Sequence, residues 1–163
     1  MTMKFTLVVL LAAGASTVHA AAPNSCAFLT PAAVSGAVGR PVTGGVVSIV
    51  NDPSSSTSNC MYRAGELIIS LSVNQLPSAA AARAEFNDEL DNSRSRDERD
   101  PAQQTALIPG LGDGAFYAID GPAIAMTGVS GNLVITIALL GPGAGAVPQE
   151  HLHSLLQAAL SHR

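Results

Sequence analysis

The chain has 163 residues and a formal net charge of −4, with no tryptophan and only two tyrosines. This length predicts a single domain with a core of its own. The acidic balance disfavours nucleic acid and anionic membranes, which need a positive surface, and the shortage of aromatic rings disfavours a sugar-stacking site.

The first twenty residues have the pattern of an export signal. Lys4 supplies a positive start, residues 5–15 form an apolar run, and residues 18–20 end in a small-x-small cleavage pattern. The run is about half the roughly 20 residues that a membrane span needs, and Cys26 stands too far beyond it for lipidation. We therefore predict cleavage after Ala20 and a secreted or periplasmic domain, residues 21–163, without a stable membrane anchor.

Cys26 and Cys60 are the two cysteines of the chain. An oxidising compartment favours one disulfide between them, which would close a loop of about 35 residues. Two free thiols are the alternative. A redox or catalytic thiol is disfavoured, because the sequence has no Cys-x-x-Cys pair and no histidine near either cysteine.

A short helix and a strand are predicted after the first cysteine. Thr30 is a good N-cap and Pro31 suits the first helical position, whereas the Gly-Arg-Pro of residues 39–41 ends the helix. Residues 42–50 are predicted to form a β-segment, and the serine-rich residues 51–59 a polar loop.

The middle of the chain predicts two further strands and a second helix. A strand begins at residues 60–63, and after a turn at 64–65 the apolar residues alternate from 67 to 73, which indicates a strand with one buried face. A helix then begins at residues 77–78. Its apolar stripe has four-residue spacing and consists of Ala82, Phe86 and Leu90.

The last third predicts a second set of strands and a third helix. The polar residues 92–104 are interpreted as a solvated connection, with a partner-binding loop as the alternative. Residues 107–140 form strands, with turns at 120–122 and 130–132. The strongest helical periodicity of the chain follows, at Leu152, Leu155, Leu156, Ala159 and Leu160.

The predicted order is helix, strands, helix, strands, helix. The simplest architecture for this order is an α+β domain in which an antiparallel sheet carries the helices on one face. One disulfide completes the prediction.

Reactive residues do not form a recognisable constellation. The glycine-rich residues 110–114 lead into a strand, whereas a phosphate cradle must lead into a helix. His151 and His153 are two residues apart and lie on different sides of their helix, and His162 is close to the end of the chain, so no metal site is indicated. We predict no catalytic residue, no metal and no cofactor, and hence no enzyme.

Four short motifs stand along the mature chain. They are Ser-Cys-Ala-Phe-Leu-Thr-Pro-Ala-Ala-Val at 25–34, Gly-Arg-Pro-Val at 39–42, Cys-Met-Tyr at 60–62 and Pro-Gly-Leu-Gly-Asp at 109–113. Together they resemble a broad group of small exported bacterial domains of unknown function. Many members are actinobacterial lipoproteins, and the extracellular sensor domain of some receptor Ser/Thr kinases looks distantly similar. The resemblance implies an α+β domain with its first cysteine bonded to its second, and it carries no catalytic residues. Unlike those lipoproteins, this chain lacks the lipidation cysteine.

The function predicted from the sequence is a soluble, exported, non-enzymatic binding domain for an unknown protein or small molecule. Candidate contact residues are Tyr62 and Arg63 beside the disulfide, and Asp113 and Tyr117 at the glycine-rich turn, since Tyr and Arg are enriched at binding hot spots. A secreted inhibitor of another enzyme, which would present its turns to an active site, is the alternative. An enzyme with a cryptic site is a second alternative.

Overall fold

A computed structural model describes residues 23–52 and 54–162. The predicted export signal and its cleavage site lie outside these residues. Within them, the helices are α1 (Pro31–Val38), α2 (Ala79–Asp97) and α3 (Gln149–Ser161), and the strands are β1 (Thr43–Asn51), β2 (Ser56–Ala64), β3 (Leu67–Gln75), β4 (Gln104–Ile108), β5 (Gly114–Asp120), β6 (Ala123–Ser130) and β7 (Leu133–Leu140).

The seven strands form one antiparallel sheet in the order β1-β2-β3-β7-β6-β5-β4. Two meanders, β1-β2-β3 and β4-β5-β6-β7, meet where β3 pairs with β7. The connection between them contains α2. The predicted α+β class, the order of helices and strands and the disulfide are confirmed.

The helices divide between the two faces of the sheet, which differs from the one-sided arrangement predicted above. α1 and α3 pack over one face, where Leu156 approaches Gly128. α2 packs over the other face, where Phe86 meets Phe116 with ring centroids 5.4 Å apart. The physical reason lies in the central strands, because β7 supplies apolar side chains alternately to both sides, with Val134 under α2 and Ile135 under α3.

Two segments predicted as loops belong to regular elements. β2 begins at Ser56, inside the predicted polar loop, and α2 continues to Asp97, inside the predicted connection. In β2 the inward hydroxyls are satisfied, since Ser58 Oγ accepts from the Ser25 amide and donates to Ser25 Oγ. Polarity therefore did not prevent a strand from forming there.

The predicted N-cap of α1 is confirmed, and α2 is capped in the same way. Thr30 Oγ1 accepts a hydrogen bond from the Ala33 amide, and Ser78 Oγ accepts one from the Ala81 amide. Gly39 ends α1 at φ 69°, a left-handed conformation that favours glycine. Among residues 23–52 and 54–162, no helix is long and apolar enough to cross a membrane.

Candidate functional site

Tyr62 serves the fold. Its side chain is 1 % exposed and its hydroxyl donates a 2.6 Å hydrogen bond to the Leu29 carbonyl oxygen. Burial raises its pKa. The Cys26–Cys60 disulfide lies two residues along β2 and ties the same N-terminal segment to the sheet. A partner therefore has no access to the Tyr62 ring in this fold.

Arg63 follows Tyr62 in the strand but lies on the opposite face of the sheet. Successive strand residues point to opposite sides, and Arg63 is exposed. The structure therefore does not bring these two candidate residues together.

Asp113 fastens the turn that precedes β5. Its carboxylate accepts a 2.8 Å hydrogen bond from the Gly131 amide, and its own amide donates to the Val129 carbonyl oxygen. The Arg83 guanidinium donates to the Asp113 carbonyl oxygen. These bonds join α2, the β4–β5 connection and the β6–β7 turn, so the contacts of Asp113 are structural.

A groove of about 470 Å³ runs between α2 and residues 107–115. Two charged residues line it, Arg83 and Asp113. Arg83 donates to the Asp113 carbonyl oxygen and lies over the Phe86 ring, 5.7 Å from the centroid, and the Asp113 carboxylate accepts from the Gly131 amide. Tyr117, the fourth candidate residue, is half-buried and packs against the core on the other side of the sheet. The groove therefore does not collect the predicted residues into one site.

Within the ranges that the structure describes, another part of the sheet has no helix over it on the α2 side, and it consists of β1, β2, β3 and residues 136–140 of β7. α2 contacts β4, β6 and β7 and leaves this part bare among the described residues. We call it the open face. The strand registers assign to it Val46, Ser48, Val50, Thr57, Asn59, Met61, Arg63, Ile68, Ser70, Ser72, Asn74, Thr136, Ala138 and Leu140.

A polar row crosses the open face at right angles to the strands. Directly paired positions on five adjacent strands carry hydroxyl or amide side chains, namely Ser48, Asn59, Ser72, Thr136 and Thr127. Neighbouring strands are about 4.8 Å apart, and at the α2 end of the row the Thr127 and Thr136 hydroxyls lie 3.0 Å apart. Thr127 is buried, so the row offers hydrogen-bonding groups from four adjacent strands, β1, β2, β3 and β7.

Large aliphatic side chains flank the polar row. Val46 is 66 % exposed, Val50 59 %, Met61 47 % and Leu140 42 %. Val46 and Met61 are cross-strand neighbours and form one apolar pair. An exposed apolar surface beside a polar row is typical of a protein contact surface.

The flank of α2 that borders the open face is acidic. Arg83, Asn87 and Leu90 line the groove on one side of the helix, so a helical period of 3.6 residues places Glu85 and Glu89 on the opposite flank, towards β7. Although much of the Glu89 side chain is exposed, desolvation of its carboxyl group raises its pKa. Glu85 raises that pKa further, and Arg96 lowers it.

Two histidines, one in α3 and one at its C-terminal cap, make structural contacts. His151 Nδ1 lies 2.8 Å from the Ala37 carbonyl oxygen, and His162 Nε2 lies 2.7 Å from the Ala27 carbonyl oxygen. Both contacts join α3 to the N-terminal segment. Across the described part of the chain, no group of three or more His, Cys, Asp and Glu side chains could hold a metal ion.

No protein-family model matches the chain, and no curated protein matches it significantly. The resemblance to small exported domains therefore stays a prediction.

The open face was not predicted from the sequence, although a signal for it was present. Thr57, Asn59 and Met61 alternate with the buried residues of β2, and Ser70 and Ser72 do the same in β3. The solvent-facing side of a sheet usually carries charged residues, but here several strands carry serine and threonine on that side. This pattern indicates a surface with a role beyond contact with solvent.

Proposed function

We propose that this chain is an exported, non-enzymatic binding domain that contacts another protein through its open face. The observation that carries the proposal is the open face itself, where exposed aliphatic side chains flank the polar row. These side chains are those of Val46, Val50, Met61 and Leu140. A surface of this kind buries apolar area on association while its hydroxyls and amides pair with polar groups of the partner.

The shape of the surface favours a protein over a small molecule. Small-molecule sites are enclosed and bury most of their ligand, whereas the open face is one side of a sheet with a helix along one border only. A protein surface can lie across several strands at once. The partner therefore has aliphatic and uncharged polar groups at its contact surface.

Charge further restricts the partner. Residues 21–163 contain seven arginines and twelve acidic residues, a net charge of 7 − 12 = −5, and Glu85 and Glu89 border the open face. Complementary charges increase association rates and exclude wrong partners. We expect basic residues on the partner at the edge that meets α2.

The proposal places the chain outside the cytoplasm, after cleavage at Ala20. The Cys26–Cys60 disulfide supports an oxidising compartment, and the four short motifs support kinship with small exported domains. Intact-mass measurement of the purified chain tests the cleavage, since an N-terminus other than Ala21 contradicts it.

Site-specific photo-cross-linking tests the contact surface. A photoreactive residue replaces Ser70, in the middle of the open face, and as a matched control it replaces Ser154, which is exposed on α3. In cells that export the chain, we expect a discrete protein adduct from position 70 that excess unmodified chain suppresses. The same adducts from both positions, or none from position 70, would refute the proposed surface.

A further inference from the structure

β1 forms one edge of the sheet, and within residues 23–52 and 54–162 no strand pairs with its outer side. All nine of its residues are exposed, and it is longer than β4, the five-residue strand at the opposite edge. The backbone N–H and C=O groups of such an edge can pair with another strand.

β1 lacks most of the features that keep edge strands apart. Residues 42–51 contain no charged residue and no proline. A register irregularity between Gly44 and Val46 affects only the start of the strand, and the pairing with β2 is regular from Val46 to Asn51. Within five residues, large apolar side chains are exposed on both faces: Val46 (66 %), Val47 (39 %), Ile49 (48 %) and Val50 (59 %). A long, uncharged and apolar edge favours pairing with another strand.

We propose that β1 pairs antiparallel with β1 of a second copy of this chain, about a two-fold axis at Val47. Val47 is the central residue of Thr43–Asn51, so this register places the two strands opposite each other along their length, with the irregularity between Gly44 and Val46 near both ends of the interface. It places Thr43 of one copy opposite Asn51 of the other, and the apolar residues of each β1 beside those of the second. The interface is isologous, as expected for a symmetric dimer.

Opposite charges lie at the two ends of β1, and this favours a second copy as the occupant. Arg63 is the β2 neighbour of Thr43 at one end of β1, whereas Asp52 directly follows β1 at the other end. Antiparallel pairing brings the basic end of each copy against the acidic end of the other, at both ends of the interface. Opposite charges within roughly 10 Å attract at physiological ionic strength.

Asp52 keeps its negative charge over the whole physiological range. Its carboxylate accepts hydrogen bonds from the hydroxyls and amides of Ser54 and Ser55. These bonds lower the pKa of Asp52 to about 2.

Pairing in this way would extend the surface described above. A two-fold axis that relates antiparallel edge strands is perpendicular to the sheet, so the same face of both copies points in the same direction. The two open faces would then lie side by side on one continuous sheet. The dimer itself does not depend on any partner binding to that face.

Sedimentation equilibrium of the purified chain, at protein concentrations up to about 100 µM, tests the dimer. Such concentrations detect dissociation constants in the micromolar range. We expect a reversible monomer–dimer equilibrium. The substitution Val47→Lys should convert the chain to monomer, because the symmetric register places two like charges opposite each other. The matched control is Leu107→Lys, which changes a residue that is 56 % exposed on the opposite edge strand and should leave the dimer intact.

A mixture of two variants tests the register. Val47→Lys and Val47→Asp should each be monomeric alone and form a one-to-one heterodimer when mixed, with circular dichroism spectra like that of the unchanged chain. A monomer at all concentrations overturns the proposal, as does a dimer that Val47→Lys leaves intact. An association seen only in chains that retain residues 1–22 also overturns it, because the N-terminal segment would then be the occupant.

Discussion

The Tyr62 hydroxyl donates a 2.6 Å hydrogen bond to the backbone carbonyl oxygen of Leu29. Both residues are almost completely buried, and the Cys26–Cys60 disulfide lies beside them. The bond and the disulfide hold the segment before α1 against β2, on the face opposite the open face. The contacts that hold this segment and the proposed binding surface therefore lie on different sides of the sheet and can be tested separately.

Replacing Tyr62 by Phe should lower the free energy of unfolding by about 1–2 kcal/mol, because the Leu29 carbonyl oxygen loses its buried donor. Tyr117→Phe is the control, since Tyr117 is only half-buried, and should change stability by less. Urea denaturation of the oxidised proteins measures both. Equal losses in the two variants would contradict a specific role for the Tyr62 hydroxyl.

Replacing Cys26 and Cys60 together by Ser should lower the free energy of unfolding by about 3–4 kcal/mol. The reason is that the unfolded chain loses the cross-link between two residues that are 34 positions apart. Reduction of the unchanged protein should produce a similar loss. A variant as stable as the oxidised protein would show that the disulfide does not stabilise the fold.

Gly112 and Gly110 form a matched pair in the glycine-rich turn. Both have positive φ, 57° and 75°, but a Cβ at Gly112 would lie 2.7 Å from the Val129 carbonyl oxygen, whereas one at Gly110 would meet no atom within 4 Å. We expect Gly112→Ala to cost at least about 2 kcal/mol of stability and Gly110→Ala about 1 kcal/mol. Thermal unfolding ranks the two, and the reverse order would contradict the close approach at Gly112.

Glu89→Gln should stabilise the domain at neutral pH. Desolvation and Glu85 raise the pKa of Glu89 above its ordinary value of 4.5, and a carboxyl with a raised folded-state pKa destabilises the fold when it is ionised. The gain should shrink as the pH falls through the raised pKa and towards 4.5. Asp91→Asn removes the same charge from α2 as a control, and denaturation from pH 4 to 7 measures the difference between them. A gain that does not depend on pH would contradict this account.

Much of the fold follows from local chemistry. Thr30 and Ser78 cap their helices through hydroxyls that the sequence displays, and the alternation in β3 and the stripe in α3 follow from burial on one side. The side of the sheet that α2 covers could not be predicted, because it depends on how β3 and β7 pair across a long separation in the chain.

The candidate site was harder to predict than the fold. Tyr62 and Asp113 have side chains typical of binding sites, but only the folded structure shows that Leu29 and Gly131 already occupy their hydrogen bonds. The polar row depends on strand register, which places Ser48, Asn59 and Ser72 side by side although they are distant in sequence.

The affinity of the cross-linked partner, measured by titration calorimetry, tests the binding surface most directly. Met61→Asp places a charge on the open face at a side chain that is 47 % exposed, and Leu107→Asp makes the same kind of change at the far edge of the sheet. We expect Met61→Asp to weaken binding at least about tenfold, or 1.4 kcal/mol, and Leu107→Asp to leave it unchanged. Equal affinity for the unchanged chain and both variants would contradict binding through the open face.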